Sequence, residues 1–382
     1  VVSRQYAAFR RLLPLAILIA VVRCGGDSGV TPPSEGLPAA ITKLGGDNQT
    51  GVVGKPLRDS LLVRVTDAKD RPVQGQRVAF VFVAGGSGSL LIPDTAVTDA
   101  DGRARSLWGL GSVAGQQRVE ARVVGTSTAA LKATFTATAQ VEVADTVFAV
   151  KGTGQTGVIG GLLTDSLAVL ITDRFGNPIA GQAVTWSVPA GQGSVSATNT
   201  VTGADGRAAV TRTLGPSAGT QTTTATAGAI PGSPVIFTHT ANSGTAVRLV
   251  KLFGDNGVAP AGSRLTDSLV VQVQDAAGNG VPGRNVNWVI VTGGGSVQPT
   301  SSTTDASGKA FTVWTLGPVA GTNTVTAAVA GLPQVQFTAT GTSAQAAQIV
   351  AQSATSQNGT AGQAVAAPPS VRVADSNNNP VQ

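Results

Sequence analysis

The sequence predicts an all-β chain of tandem β-sandwich modules, and three observations predict it. The segment RDSLLVRVTD at 58–67 returns as TDSLAVLITD at 164–173 and as TDSLVVQVQD at 266–275. The DSL cores start at 59, 165 and 267, so the periods are 106 and 102 residues, the size of a domain and not of a solenoid repeat of roughly 20–50 residues. Val, Thr and Ala outweigh long helix formers, and nothing after residue 24 sustains the three-and-four spacing of an amphipathic helix. Gly-rich turns recur at short intervals between runs that alternate with a period of two.

Composition agrees with small side chains filling strands and turns. The 382 residues include 49 Gly and 20 Pro, aromatics are 4%, and Met is absent. Charged residues are 12% and hydrophobic residues 42%, where an ordinary soluble protein has about 25% charged; a polyampholyte helix, a coiled coil or a charge-driven disordered chain is disfavoured. One Cys and one His are too few for a Cys/His zinc site, a disulfide framework or an iron–sulfur cluster. The net charge of +6 includes Arg4, Arg10, Arg11 and Arg23, and the other 22 basic and 20 acidic residues leave only +2. Basicity is therefore mostly an N-terminal effect and not the footprint of a nucleic-acid binder.

The first 24 residues begin with basic side chains and continue into the apolar run Leu12 to Val22, which is too short for an ordinary membrane helix and fits the centre of an export signal. Cys24 follows at once, then GGDSGVTPPSEG, a tether composition that takes residues 25–37 as a flexible linker. This arrangement resembles a bacterial lipoprotein signal, which implies a lipid on Cys24 and a membrane attachment. Arg23 stands where such signals carry a small residue, and a non-lipidated export signal is the alternative.

The repeat divides the rest into modules at 38–140, 141–242 and 243–342, with 343–382 starting a fourth. Two or three strands cannot bury a sandwich core, so the native protein is expected to continue beyond residue 382 or this last segment to be poorly ordered. Within a module, Leu61, Val63 and Val65, Leu167, Val169 and Ile171, and Leu269, Val271 and Val273 fall on one face of a strand. Each run ends at an Asp-led turn, and another strand follows. About seven to nine short antiparallel strands per module make a sandwich. Without a disulfide, cohesion falls to Val, Leu and Phe packing around the anchors Phe80, Trp186 and Trp288, each worth roughly 1.5–3 kcal/mol in transfer terms when fully buried. Trp108 and Trp314, in a later strand, are expected to be less completely covered.

Taken in order, DSL, the turn and strand GNPIAGQAVTW or GNGVPGRNVNW, the GGGS-type turn, TDADGRA or TDASGKA, WGLGSVAG or WTLGPVAG and the closing FTAT resemble bacterial Ig-like domain 1, the module of invasins and intimins. The resemblance covers nearly all of 38–382. It implies tandem immunoglobulin-like sandwiches arranged as a rod, exported to the cell envelope or surface, lipid-anchored at the outer membrane where Cys24 is processed. Unit one departs in having Phe80 for Trp and the turn AKDRPV, and unit two lacks the Trp seen as Trp108 and Trp314.

Candidate chemistry is sparse. His239 sits in FTHT, where the other complete units have FTAT, and reads as an incidental surface or edge histidine in a terminal strand. The pairs Asp59–Ser60, Asp165–Ser166 and Asp267–Ser268 recur in every unit, as do Asp67, Asp173 and Asp275 before turns, which points to loop shaping. DADG at Asp99 to Gly102 resembles half a calcium loop but lacks the remaining ligands; a turn is the reading, with calcium at unit one or a module junction as the alternative. GGSGS, GQGS and GGGS lack a following GK[ST] or helix and read as strand connections and not phosphate cradles. No catalytic, cofactor or metal residues are assigned, and no enzyme is expected. The basic residues Arg58, Arg64, Arg71, Arg77, Arg103, Arg105, Arg118 and Arg122 crowd unit one only, which argues against a nucleic-acid partner. Three modules in line would span very roughly 80–120 Å if each eight-residue strand adds about 26 Å. The expected function is a non-enzymatic spacer presenting a distal region, with adhesion to a protein or polysaccharide through loops or sheet edges as the alternative.

Overall fold

The computed structural model describes residues 36–84, 89–125 and 131–382. The export segment with Cys24, nearly all of the expected linker and the GGSG turn at 85–88 lie outside the described residues. The chain divides into two compact units, the first holding the residues up to 51, 55–110 and 116–138, the second holding 52–54, 111–115 and all from 139 onward.

The first unit is built on β1 (Ala40–Gly45), β2 (Gln49–Val52), β3 (Leu61–Thr66), β4 (Arg77–Ala84), β5 (Leu90–Ile92), β6 (Thr95–Val97), β7 (Arg103–Gly109), β8 (Gly115–Val123) and β9 (Lys132–Gln140). These form a sandwich of two sheets ordered β1-β3-β7-β5 and β2-β9-β8-β4-β6. Leu61, Val63 and Val65 of β3 are fully buried, as the period of two requires. Phe80 and Phe135 lie in the same interior.

The second unit opens with β10 (Thr146–Lys151), β11 (Gln155–Val158), β12 (Leu167–Thr172), β13 (Ala183–Ser187), β14 (Gly193–Val195), β15 (Asn199–Val201), β16 (Arg207–Val210), β17 (Arg212–Leu214), β18 (Gly219–Thr226) and β19 (Val235–Asn242). Next come β20 (Arg248–Phe253), β21 (Gly257–Pro260), β22 (Leu269–Gln274), β23 (Asn285–Thr292), β24 (Ser296–Gln298), β25 (Ser301–Thr303), β26 (Lys309–Thr315), β27 (Gly321–Ala328) and β28 (Val335–Thr342). A final pair, β29 (Gln348–Ala351) and β30 (Val371–Ala374), makes a two-stranded antiparallel sheet. The third sandwich repeats the first, with orders β20-β22-β26-β24 and β21-β28-β27-β23-β25. In the second sandwich the five-stranded sheet is conserved as β11-β19-β18-β13-β15, but its partner is divided into β10-β12-β16 and β14-β17.

The sequence suggested antiparallel strands throughout, and two pairings differ. β11 pairs parallel with β19 and β21 with β28. The first strand of each sandwich bulges before its end, at Lys43/Gly45, Ala149/Lys151 and Lys251/Phe253, and the chain then crosses to the other sheet. Gly46, Gly152 and Gly254 make that crossing at φ of 85°, 95° and 88°. A Cβ on them would come within 2.3–2.5 Å of the Ser60, Ser166 and Ser268 carbonyl oxygens. The repeated Asp-Ser-Leu thus marks where two backbones touch, and only glycine fits opposite it.

Two burial expectations are corrected. Trp108 and Trp314 are fully buried, because β7 and β26 alternate strictly and turn these side chains between the sheets. His239 is 2% exposed and lies inside its sheet, with β11 on one side and β18 on the other. β19 closes the second sandwich in chain order but not in space. The third sandwich has one continuous core from Leu249 to Ala339 around Trp288 and Trp314, including Leu265 and Leu316. The second has two cores: a main one around Trp186 and Phe237, and a separate group of Leu163, Leu214 and Ala241.

Candidate functional site

The recurring feature with a contact function is the turn after the core strand of each sandwich. In the turn after β22, the Asp275 carboxylate accepts hydrogen bonds from Ala277 N at 2.9 Å and Asn279 N at 2.8 Å, while Gly278 takes φ of 86°. This is the Asx geometry that short polar side chains impose on a turn. The other carboxylate oxygen accepts Gly244 N, on the segment leading into the sandwich, at 2.9 Å. Asn279 Nδ2 donates to this carboxylate at 3.0 Å and also to Pro216 O at 2.8 Å. Ala218 N donates to Asn279 Oδ1 at 2.9 Å. One asparagine therefore uses one amide proton and its carbonyl to tie the second sandwich to the third, and its other amide proton to fix itself on Asp275.

The same bonds recur in the second unit. Asn379 donates to Pro318 O at 2.8 Å and accepts from Ala320 N at 2.7 Å, with Asp375 beneath it accepting Asn377 N, Asn379 N and Ala344 N. Asn177 donates to Ser112 O at 2.8 Å and accepts from Ala114 N at 2.9 Å, with Asp173 accepting Phe175 N, Asn177 N and Glu142 N. In the first unit the fourth residue after the aspartate is Arg71, whose Nε and Nη2 take the second Asp67 oxygen at 2.8 and 2.7 Å. The turn is kept there and the asparagine bonds are not.

Burial pushes the Asp173, Asp275 and Asp375 carboxyls up, but the asparagine amide and backbone N–H donors outweigh it and hold each below the ordinary carboxylate value. Asp67 is likewise lowered, burial opposing and the Lys69 amide and Arg71 donors prevailing. These carboxylates are charged and fully engaged at neutral pH.

The sequence anticipated that Asp67, Asp173 and Asp275 hold loop shape; it missed that the asparagines at 177, 279 and 379 reach out of the loop. The available signal was the contrast between GN or NN and the Arg71 of unit one. Asp99 Oδ1 accepts Asp101 N at 3.0 Å and Arg103 N at 2.8 Å, the bonding of a turn. Asp165 pairs with Lys151 at 2.8 Å, and its backbone is gripped by the Gln155 amide. Among the described residues no group of three or more His, Cys, Asp or Glu is placed to hold a metal ion. Phe80, Trp186 and Trp288 are 2%, 1% and 3% exposed. Trp186 lies 5.9 Å from Phe237 and Trp288 6.0 Å from Phe337, ring centre to ring centre.

An open groove of about 620 Å³ on the third sandwich is lined by Lys251, Phe253, Asp255, Val258 and Asp267. Phe253 and Val258 are about two-thirds exposed there.

Fold and junctions together define a protein of tandem immunoglobulin-like β-sandwiches. Residues 149–240, within the second sandwich, match the model of the bacterial Ig-like domain (group 1) family. The chain is also similar to solved structures. One is FdeC, an Escherichia coli adhesin, at 21% identity over 79% of this chain and 96% of that one, TM-score 0.45. Another is invasin, a bacterial integrin-binding protein, at 19% identity over 82% of this chain and 62% of that one, TM-score 0.42. A third is Yersinia pseudotuberculosis InvD, at 14% identity over 78% of this chain and 96% of that one, TM-score 0.42.

Proposed function

We propose that the chain is a non-enzymatic protein of the bacterial cell surface with a structural and adhesive role, its second and third sandwiches clasped by an asparagine. The observation that carries this reading is the repeated clasp. A junction bound by an aspartate–asparagine pair to backbone groups on both sides limits bending between the second and third sandwiches, as an extended spacer requires. X-ray scattering of the full chain tests it. A compact chain of this length has a radius of gyration of about 21 Å; the wild type should be clearly larger, and Asn279→Ala should broaden the distance distribution without unfolding either sandwich. A wild-type value near 21 Å, or an unchanged distribution in the variant, would refute the spacer reading.

Adhesion by the sandwiches themselves, to a protein or polysaccharide, is the second reading. The groove with exposed Phe253 and Val258 favours it, and among the similar proteins FdeC is an adhesin and invasin binds integrin. The two readings are compatible, since a spacer can bind along its length.

Export through residues 1–24 and a lipid on Cys24 complete the proposal, placing the chain in the envelope or at the outer membrane. Among the described residues no helix is long and apolar enough to cross a membrane; the attachment proposed is the lipid on Cys24, on the strength of the signal-like segment before it. Metabolic labelling with a lipid precursor should mark the wild type. Cys24→Ala should lose the label and membrane association while remaining exported; a labelled variant would refute the assignment.

A further inference from the structure

We propose that the buried Arg212–His239 pair makes the second sandwich a proton-operated release for the clasp that Asn279 closes on residues 216–218. The proposal rests on the clasp reading above. Where the first sandwich has Trp108, Val119 and Ala137, and the third has Trp314, Val325 and Ala339, the second has Arg212, Thr223 and His239. All three are buried, Arg212 and Thr223 completely. The exchange replaces a large apolar side chain beside a small one with two basic side chains in one interior space.

The acceptors that Arg212 binds are neutral: Thr223 Oγ1 at 2.8 Å, Gln221 Oε1 at 3.3 Å, and the carbonyl oxygens of Gln192, Ser194 and Thr213. His239 Nε2 lies 3.4 Å from Thr223 Oγ1, and His239 Nδ1 is buried with no hydrogen-bond partner. This polar belt separates Leu163, Leu214 and Ala241 from the main core, and it coincides with the break between β16 and β17.

Gln221 connects the belt to the junction. It accepts Gly215 N at 2.8 Å and donates to Ser217 O at 2.8 Å. The loop so fixed is the one whose Pro216 O and Ala218 N bind Asn279. A change in the belt therefore reaches the clasp through one side chain.

Arg212 on β17 is the charged group facing His239. β18 sets Gln221 and Thr223 beside it, and Phe237 and Ala241 share its face of β19. β11 places Gln155 opposite it in register, with the Gln155 amide bound to Gly152 O and Asp165 O; Asp165 itself is half exposed and paired with Lys151. No carboxylate is thus presented to offset a second positive charge. Burial, and then the Arg212 charge, hold His239 below its ordinary value of 6.5. Since the opened state binds the proton more readily, opening is unaffected above about pH 6.5. Below it, opening grows by up to about tenfold per pH unit until the folded-state value is passed.

The test is hydrogen exchange of the full chain at pH 7.5 and 5.0, corrected for the intrinsic pH dependence of exchange and read on peptides spanning 212–222. The wild type should open more at pH 5.0, by as much as about 30-fold, while the equivalent segment 314–324 of the third sandwich should not follow it. Arg212→Trp/Thr223→Val/His239→Ala, which installs the residues of the third sandwich, should abolish the response; His239→Gln serves the same purpose if the triple variant does not fold. An acid response below threefold in the wild type, or one retained in His239→Gln, overturns the proposal. Asn279→Ala separates the two readings: unchanged protection of Ala218 at pH 7.5 in that variant would overturn the clasp itself.

Discussion

Replacing Trp288 by alanine is expected to destabilise the third sandwich by about 3–5 kcal/mol, the cost of removing a buried tryptophan and leaving a cavity. Its indole fills the space between the sheets against Phe337 and is anchored by Nε1 donating to Ser302 Oγ at 2.9 Å. Trp288→Phe should lose far less, because Ser302 is only partly buried and water can replace the lost donor. Segment-resolved hydrogen exchange over β22 and β27 measures both, whereas a single melting curve of a multi-sandwich chain does not define one stability. The corresponding Trp186→Ala should leave the second sandwich less ordered than Trp288→Ala leaves the third. The polar belt already divides the second core, so fewer apolar contacts remain to hold it.

The second large effect is expected from Asp275→Ala, at about 2–4 kcal/mol, since the Ala277, Asn279 and Gly244 amides lose one acceptor together. Asp275→Asn should recover part of this. It keeps the shape but offers an NH₂ group where one of those donors points. The pH dependence has a defined sign. The folded-state carboxyl is below its ordinary value of 3.8, so its stabilisation is fully present above about pH 4 and is lost as the pH falls through the lower folded value. Exchange of Gly244 and Ala218 should therefore stay slow through the carboxylate's range down to about pH 4 in a chain carrying His239→Gln. Loss of protection already at pH 5 in that chain would show that Asp275 is not the charge holding the joint.

Much of the fold was legible because its signals are local. Leu61, Val63 and Val65 and their counterparts announce a core strand by alternation alone, and the spacing of the DSL segments announces the repeat. The parallel partner of the last strand was not legible. QTGV at Gln155–Val158 is short, carries no apolar alternation, and reaches β19 across some 84 positions, from Gln155 to His239. That missing neighbour is why His239 read as an edge residue. Trp108 and Trp314 were underestimated for a related reason: large apolar side chains also occupy neighbouring positions of the other strand face, as Leu107 and Phe311 do, so alternation alone does not say which face the core covers. For the candidate site, the aspartates were readable as turn formers because an Asx turn closes within four residues. The asparagine bonds to Pro216, Ala218, Pro318 and Ala320 join positions about 60 apart, and no short-range pattern encodes them.

The clasp recognises main-chain atoms on its receiving side. Pro216 and Ala218 serve one asparagine as Pro318 and Ala320 serve another, and their side chains take no part in the bonds. Such a joint is indifferent to which copy it meets. Gain or loss of one whole repeat by recombination between similar stretches of coding sequence would therefore regenerate the same joint, and the lineage can alter its reach without inventing a new contact. Arg71 marks the boundary of that freedom: the first copy has an arginine bound to its own Asp67 where the others have the asparagine that reaches outward, and is not interchangeable with them.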